Sequence, residues 1–390
     1  MIQRSIRALQ KMAAVAAVVV GAAGFGLGGV QAAEPIKIGT FLAVTGPASF
    51  LGDPELKTLE MYVEQVNAAG GVLGRPLELI SYDAQHDAKK AVTFVKRLIE
   101  QDKVDLIVGG STTGTTMAVI KLIEKAGVPF ISLAGAGVII DPVKKWVFKT
   151  PHTDRVAVEK IFRDMKARGL TKVGLFAGSG GFDKSCHKNA LELAPGQGMT
   201  IVADESHGKG DTDMTAQLTK IKNAAGVQTL LYCGFGAPTS IVAKNYKQLG
   251  LTIPHYQTHG SASMKFIQGA DGAAEGVRLP AAALLVVDQL ADSHPQKQVA
   301  GAYKAAYEGR YNDSISTFGG HAYDGLFIAV EAIKRAGSTD KEKVRAEIEK
   351  TSNFIGVDGI FNMSASDHLG LDADSFVMVE VDGGKWKLLE

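Results

Sequence analysis

Segments typical of strands and of helices alternate along the chain from residue 35 onwards, and this alternation limits the possible folds more than any other feature. Up to residue 151 the predicted strands are 37–42, 77–82, 104–108 and 129–133, and the predicted helices are 56–69, 88–101 and 116–126. Strands separated by helices of about 10 to 15 residues predict right-handed crossover connections. The expected fold class is therefore α/β, with a parallel, doubly wound sheet.

The same alternation starts again near residue 148, which predicts a second unit built like the first. Its predicted helices are 156–168, 183–193, 214–224 and 238–249, and its predicted strands are 172–177, 199–206, 229–233 and 254–258. Further elements are a strand-like run at 282–287, helices at 296–307, 322–336 and 340–350, and a hairpin of 377–381 with 386–388. These last elements are too few for a third domain, so we expect them to complete the first two. The predicted lobes are 34–151 with 281–354, and 152–280 with 355–390.

The N-terminal segment, residues 1–32, has the features of a signal peptide. Arg4, Arg7 and Lys11 precede an apolar stretch at 12–30, and small residues stand before a cleavage point near Ala32. We predict export to the periplasm with no stable membrane insertion after cleavage. The alternative is a retained N-terminal anchor, because the apolar stretch approaches about 20 residues.

The chain that remains after cleavage is close to electrically neutral. Residues 1–33 hold three basic residues and no acidic ones, so the remainder has a net charge of −2. We therefore expect neither nucleic acid nor an anionic membrane as a partner. The two cysteines, Cys186 and Cys233, are interpreted as structural, and export permits a disulfide that the sequence leaves open.

The loop 109–116 follows a predicted buried strand and nearly matches the phosphate-binding pattern G-x-x-x-x-G-K-[ST]. A threonine stands where the pattern needs its lysine, which would reach the β- and γ-phosphates. What remains is a helix N-terminus with free N–H groups and the hydroxyls of Ser111, Thr112, Thr113, Thr115 and Thr116. Such a terminus suits a singly charged anion, so a carboxylate fits better than a triphosphate.

Other motifs give little support for catalysis or for a cofactor. The loop after 172–177 fails the dinucleotide pattern G-x-G-x-x-G because Asp183 takes the place of the last glycine. The histidines and cysteines do not have metal-binding spacing, and G-x-S-x-G is absent. Asp83, His86 and Asp87 are interpreted as a solvated turn. We predict that the protein is not an enzyme and has no cofactor and no metal site.

Seven segments follow one another in an order known from one protein family. They are 44-VTGPASFLGD-53, 64-EQVNAAGGVLGRPLEL-79, 82-YDAQHDAKKAV-92, the loop 109–118, 129-PFISLAGAG-137, 275-EGV-277 and 322-AYDGLFIAVEAI-333. In this order they resemble the type I periplasmic solute-binding proteins of the branched-chain amino acid ABC transporters, over residues 35–390. The resemblance implies a monomer of two α/β lobes, joined by three crossovers, that closes on a small ligand and delivers it to a permease.

The resemblance also implies a site for the ligand, with two departures from amino acid binders. The ligand carboxylate would meet the hydroxyl of Thr113, with Thr112 and Ala134 nearby. Ala136 stands where such binders usually carry a serine or threonine, and His259 stands where they carry an acid before a glycine. A buried α-ammonium group without these partners would cost several kcal/mol. His259 would instead suit a hydroxyl, keto or carboxylate oxygen.

Aromatic and apolar residues complete the predicted site. By resemblance these are Phe182 and Phe235 on the second lobe, and Phe50, Leu51 and Phe318 on the first. Together they predict an apolar slot for a carboxylate ligand without an α-amino group, an aromatic acid or aryl keto acid. A branched-chain or aromatic amino acid as ligand, and a sensory module that feeds a signalling receptor, remain alternatives.

Overall fold

The computed structural model describes residues 34–389, so the predicted signal peptide lies outside the described part of the chain. The first sheet is parallel throughout and has the strand order β2-β1-β3-β4-β5. Its strands are β1 (Ile36–Leu42), β2 (Leu77–Asp83), β3 (Leu106–Gly109), β4 (Phe130–Ser132) and β5 (Val147–Lys149). The helices between them are α1 (Ser49–Ala68), α2 (Ala88–Glu100) and α3 (Thr113–Ala126).

The second sheet has seven strands in the order β14-β13-β10-β9-β8-β6-β7, of which β13 and β14 are antiparallel to their neighbours. Its strands are β6 (Lys172–Ala177), β7 (Thr200–Ser206), β8 (Thr229–Cys233), β9 (His255–Gln257), β10 (Arg278–Ala282), β13 (Phe376–Asp382) and β14 (Lys385–Leu388); β11 (Phe354–Ile355) and β12 (Ile360–Phe361) form a separate hairpin. The helices that accompany it are α4 (Asp154–Ala167), α5 (Gly181–Gln197), α6 (Thr215–Lys222), α7 (Ala237–Gln248) and α8 (Met264–Ala270).

Three later helices return to the first sheet. They are α9 (Lys297–Tyr311), α10 (Thr317–Ala336) and α11 (Lys341–Glu349), and α10 packs on both α1 and α11. The first sheet with α1–α3 and α9–α11 is called lobe 1, and the second sheet with α4–α8 is called lobe 2. The predicted α/β fold with two parallel-sheet lobes is confirmed. The chain changes lobe after β5, after β10 and before β13, while the residue boundaries of the lobes stay a prediction.

The buried strands and the helix ends follow from local sequence. All four residues of β3 are buried, as expected for a parallel strand covered on both faces. The helix α3 begins after Thr112, whose hydroxyl accepts a hydrogen bond from the N–H of Thr115. It ends at Gly127, which has the left-handed conformation (φ 61°) that glycine adopts without strain. These signals place the N-terminus of α3 at the end of β3.

Two predicted elements differ most from the structure. The helix α1 begins at Ser49, seven residues before the predicted start at 56, because Gly52 and Pro54 resemble loop signals. A side chain at Gly52 would place its Cβ 2.3 Å from the carbonyl carbon of Ala43, so glycine lets this helix lie directly on the loop after β1. The strand predicted at 282–287 is wrong, since β10 ends at Ala282 and a 3₁₀ segment, Ala283–Gln289, follows.

Candidate ligand-binding site

A cavity lies between the lobes, beyond the carboxyl ends of the parallel strands. Its empty space, counted together with its opening to solvent, is about 410 Å³. Its lining residues are Leu51, Ser111, Thr112, Thr113, Leu133, Gly135, Pro151, Phe182, Phe235, His259, Gly260, Phe318 and His321. None of these described lining residues is acidic.

On lobe 1, the N-terminus of α3 carries one hydroxyl that is left for a ligand. The hydroxyls of Ser111, Thr112, Thr115 and Thr116 each form hydrogen bonds with other groups of lobe 1. The Thr113 hydroxyl is buried and has no hydrogen-bond partner among the described residues. A buried hydroxyl without a partner is costly, so this atom indicates a place where a ligand supplies the missing hydrogen bond.

The N-terminus of α5 lies against that of α3, where the two lobes meet beside the cavity. A Cβ added at Gly181, the first residue of α5, would lie 3.4 Å from the Thr113 methyl carbon and 3.6 Å from the backbone nitrogen of Gly114. Both helices, at 14 and 17 residues, have a positive dipole end here that favours negative charge. At α5 the carboxyl group of Asp183 already accepts the N–H of Gly180, so the helix end that favours a ligand anion is that of α3.

Aromatic rings form the apolar walls. The rings of Phe182 and Phe235 are perpendicular, with centroids 6.1 Å apart, and both belong to lobe 2. Phe50 of lobe 1 contacts Phe235 across the cleft, with centroids 6.3 Å apart, and packs edge-on against Phe318 at 5.6 Å. These geometries leave ring faces and edges for contact with a flat apolar group.

His259 reaches the cavity from lobe 2. Both of its ring nitrogens are buried without a hydrogen-bond partner among the described residues. Burial, with the nearby charge of Lys149 as a smaller cause, lowers the pKa of His259 to about 3. The ring is therefore neutral at physiological pH, with one donor and one acceptor nitrogen that a polar ligand group could satisfy.

The structure brings seven of the ten residues predicted for the site to the cavity lining, namely Leu51, Thr112, Thr113, Phe182, Phe235, His259 and Phe318. Phe50 lies one layer outside, against Phe235 and Phe318. Ala134 and Ala136 are buried in the loop after β4 and do not line the cavity. Which of these residues contact a ligand stays a prediction.

His321 was not predicted for the site but lines the cavity, and His86 lies in a turn but is less exposed than the predicted solvated turn implies. His321 lies on α10, and its Nδ1 is 2.5 Å from a carboxylate oxygen of the buried Asp358. His86, interpreted as part of a solvated turn, is half-buried, and its Nδ1 is 3.2 Å from the hydroxyl oxygen of Thr112. The only sequence feature that pointed to His321 was its position directly before the segment 322–333.

The ionisation of Asp183 makes the stability of the folded protein depend on pH. Its Oδ2 accepts the N–H of Gly180 at 2.9 Å, but Oδ1 is buried without a partner among the described residues. Burial, partly opposed by these backbone hydrogen bonds, raises the pKa of Asp183 to about 6. The folded protein therefore binds this proton at higher pH than the unfolded chain does. The resulting stabilisation is present below about pH 4 and is lost as the pH rises through about 6.

Asp183→Asn is expected to remove this dependence. The stability of the parent relative to the variant should rise by about 3 kcal/mol as the pH falls from about 7 to about 4, since one pKa unit corresponds to about 1.4 kcal/mol. Urea denaturation of both proteins at several pH values measures this difference. An equal difference at every pH would contradict the assignment.

Within residues 34–389, no group of three or more histidine, cysteine, aspartate or glutamate side chains is placed to hold a metal ion. Over the same range, no helix combines the length and the apolar character needed to cross a bilayer.

Two lobes around a polar and aromatic cavity define the class of two-lobed solute-binding proteins. The family model described as periplasmic binding protein matches residues 35–385. The chain therefore belongs to the type I periplasmic binding protein family, and its relatives are Leu/Ile/Val-binding proteins. The family assignment made from the seven segments is confirmed.

Individual relatives share about a quarter of the sequence. A leucine-, isoleucine-, valine-, threonine- and alanine-binding protein of Pseudomonas aeruginosa is 26% identical over 83% of this chain and 84% of its own length. An extracellular ligand-binding receptor from Rhodopseudomonas palustris HaA2 superposes with a TM-score of 0.85 and 27% identity over 92% of this chain and all of its own. The branched-chain amino acid substrate-binding protein LivJ of Streptococcus pneumoniae, solved with isoleucine, has a TM-score of 0.80 and 25% identity over 91% of this chain and 99% of its own.

Proposed function

We propose that this protein is the monomeric, periplasmic solute-binding component of an ABC importer, and that its ligand is an organic carboxylate without an α-amino group. An aromatic acid or an aryl keto acid is the ligand class we favour. The observation that carries the proposal is a cavity with the N-terminus of α3, an unpartnered threonine hydroxyl and aromatic walls, but no acidic lining residue. Such a cavity stabilises an anion, whereas a buried cation has no countercharge there.

In the proposed complex the ligand carboxylate accepts hydrogen bonds from the Thr113 hydroxyl and from N–H groups at the start of α3. The aromatic ring lies among Phe182, Phe235 and Phe318, where ring contacts add about 0.5–1.5 kcal/mol beyond area burial. Because these groups come from both lobes, the ligand binds the closed arrangement better than an open one. This difference in affinity is what would drive closure and recognition by the permease.

A branched-chain or aromatic amino acid is the second candidate ligand, and the names of the Pseudomonas and Streptococcus relatives favour it. Its α-ammonium group would need a carboxylate or several oxygen acceptors when buried. At the two positions where amino acid binders are expected to provide them, this chain has Ala136 and His259. A sensory module is a further alternative, and a receptor gene in place of a permease gene nearby would support it.

Thermal unfolding of the mature protein against a ligand panel tests the proposal. The panel holds benzoate, phenylpyruvate, 4-methyl-2-oxopentanoate, leucine and isoleucine. A ligand at 100 times its dissociation constant adds about 2.7 kcal/mol, which shifts the midpoint by several degrees. We expect shifts with the aromatic acids and none with leucine. A shift with leucine or isoleucine alone would show that this is an amino acid binder.

A further inference from the structure

We propose that His321, held in position by Asp358, contacts the ligand and determines its specificity. In this proposal Nε2 of His321 donates a hydrogen bond to an acceptor oxygen of the ligand, and binding requires the His321–Asp358 pair to hold two protons. The inference rests on the proposed carboxylate ligand and adds a second polar contact, from α10, to that of Thr113.

The geometry fixes which ring nitrogen is available. His321 lines the cavity and is 3% exposed, and its Nδ1 is 2.5 Å from Oδ2 of Asp358. Nε2, on the other side of the ring, has no hydrogen-bond partner among residues 34–389. A carboxyl group that binds one imidazole nitrogen fixes the ring orientation and leaves the other nitrogen for a ligand, as in metal and catalytic sites.

Asp358 is itself held rigidly against α10. Asp324, one turn after His321, accepts the backbone N–H groups of Val357 and Asp358 at 2.8 and 2.9 Å. The approach is so close that a Cβ at Gly356 would lie 2.4 Å from an oxygen of Asp324. The segment between β11 and β12 is thus fastened to the helix that carries His321, and Asp358 is fully buried.

The charges around the pair favour its doubly protonated form. Burial raises the pKa of both Asp324 and Asp358, and proximity to Asp358 raises that of Asp324 further. Burial lowers the pKa of His321 to about 3. An ionised Asp358 beside a neutral His321 would therefore be a buried charge, whereas two protons make the pair neutral overall.

The proton between Nδ1 of His321 and Asp358 can lie on either group, and in both cases Nε2 remains a hydrogen-bond donor. If it lies on Asp358, the ring accepts it at Nδ1 and carries its own proton on Nε2. If it lies on Nδ1, the ring is an imidazolium with a second proton on Nε2. In both of these forms Nε2–H is a donor. When the pair loses one proton, the remaining proton lies on Nδ1 and is bonded to the Asp358 carboxylate. Nε2 is then an acceptor, which repels a carboxylate or keto oxygen of the ligand.

Other titratable groups also face this pair, and one of them could imitate its pH dependence. They are Lys149 on β5, His152 after it, His259 after β9, Tyr303 on α9 and Asp324 on α10. Burial lowers the pKa of Lys149 to about 7, so its loss of charge would also weaken anion binding as the pH rises. Lys149 does not line the cavity; its Nζ donates to the carbonyl oxygens of Gly135 and His152.

Isothermal titration with phenylpyruvate from about pH 5.5 to about pH 8.5 tests the proposal. We expect the affinity of the parent to be constant at low pH and then to fall by up to tenfold per pH unit, with proton uptake in buffers of different ionisation enthalpy. His321→Leu should bind at least about tenfold more weakly at low pH, because a hydrogen bond to a charged group is lost. In Asp358→Asn the amide can donate to Nδ1 and keep the proton on Nε2, so binding should persist without the pH dependence.

Lys149→Gln is the matched control and should keep the pH dependence. The proposal is overturned if His321→Leu binds like the parent, if the parent affinity is independent of pH, or if Lys149→Gln rather than Asp358→Asn abolishes the dependence. If Asp358→Asn does not fold, the proton uptake by the parent and the affinity of His321→Leu together test the proposed role of His321.

If leucine binds and phenylpyruvate does not, the proposed ligand class is wrong. The same series of variants measured with leucine then tests His321, because the leucine carboxylate is also a hydrogen-bond acceptor. Absence of binding by both probes contradicts both proposals.

Discussion

Thr113→Val should weaken binding of an aromatic acid by about 10- to 100-fold while leaving the ligand-free protein at least as stable as the parent. The Thr113 hydroxyl is the buried, unpartnered group at the N-terminus of α3, and a hydrogen bond from it to a carboxylate is worth about 1.5–3 kcal/mol. Without ligand the same hydroxyl is a buried polar group that lacks a partner. Its replacement by an isosteric methyl group removes that cost. Titration calorimetry and urea denaturation measure the two effects separately.

The opposite signs of these two effects distinguish a ligand-binding role from a structural one. Thr229→Val is a suitable control, because Thr229 is fully buried in β8, donates to the carbonyl oxygen of Pro254 at 2.9 Å and lies outside the cavity lining. It should lower stability by about 1–3 kcal/mol and leave affinity unchanged. If Thr113→Val binds as tightly as the parent, the anion site is not at this helix end.

Replacing both cysteines with serine should lower the free energy of unfolding by about 4 kcal/mol. The structure contains a disulfide between Cys186 on α5 and Cys233 at the end of β8, with Cα atoms 5.7 Å apart and a sequence separation of 47 residues. Cross-linking a loop of this length restricts the unfolded chain, and the chain-entropy relation gives about 4 kcal/mol at 25 °C. Urea denaturation of the parent and the double variant, both without reductant, measures the difference.

This disulfide also lies directly behind two aromatic walls of the cavity. Cys186 is one helical turn after Phe182, and Cys233 is two residues before Phe235. The covalent link therefore holds both ring-bearing segments at a fixed separation, and we expect the double variant to bind more weakly as well. Treatment of the parent with reductant provides a control without mutation. Equal stability of the oxidised parent and the double variant would show that the link contributes nothing.

Much of the candidate site could be predicted because its residues lie in loops at strand ends. The loop after β3 was identified from its glycines and hydroxyls, and Phe182 and His259 were identified by resemblance. His321 could not be found in this way, since its importance depends on Asp358, which lies 37 residues later in the chain. The partial burial of His86 was missed for the same reason, because Thr112, its hydrogen-bond partner, is 26 residues away.

The sequence by itself determined the alternation of strands and helices, the two-lobed α/β class and the family. Side-chain periodicity and capping residues act over a few positions, so they can be recognised in a linear chain. Only the tertiary structure decided which hydroxyl at the start of α3 lacks a partner, which carboxyl group lies beside His321, and that the two cysteines are joined. Hydrogen bonding, burial and the charge of a buried group depend on neighbours that come from distant parts of the chain, and the packing of the two lobes sets those neighbours.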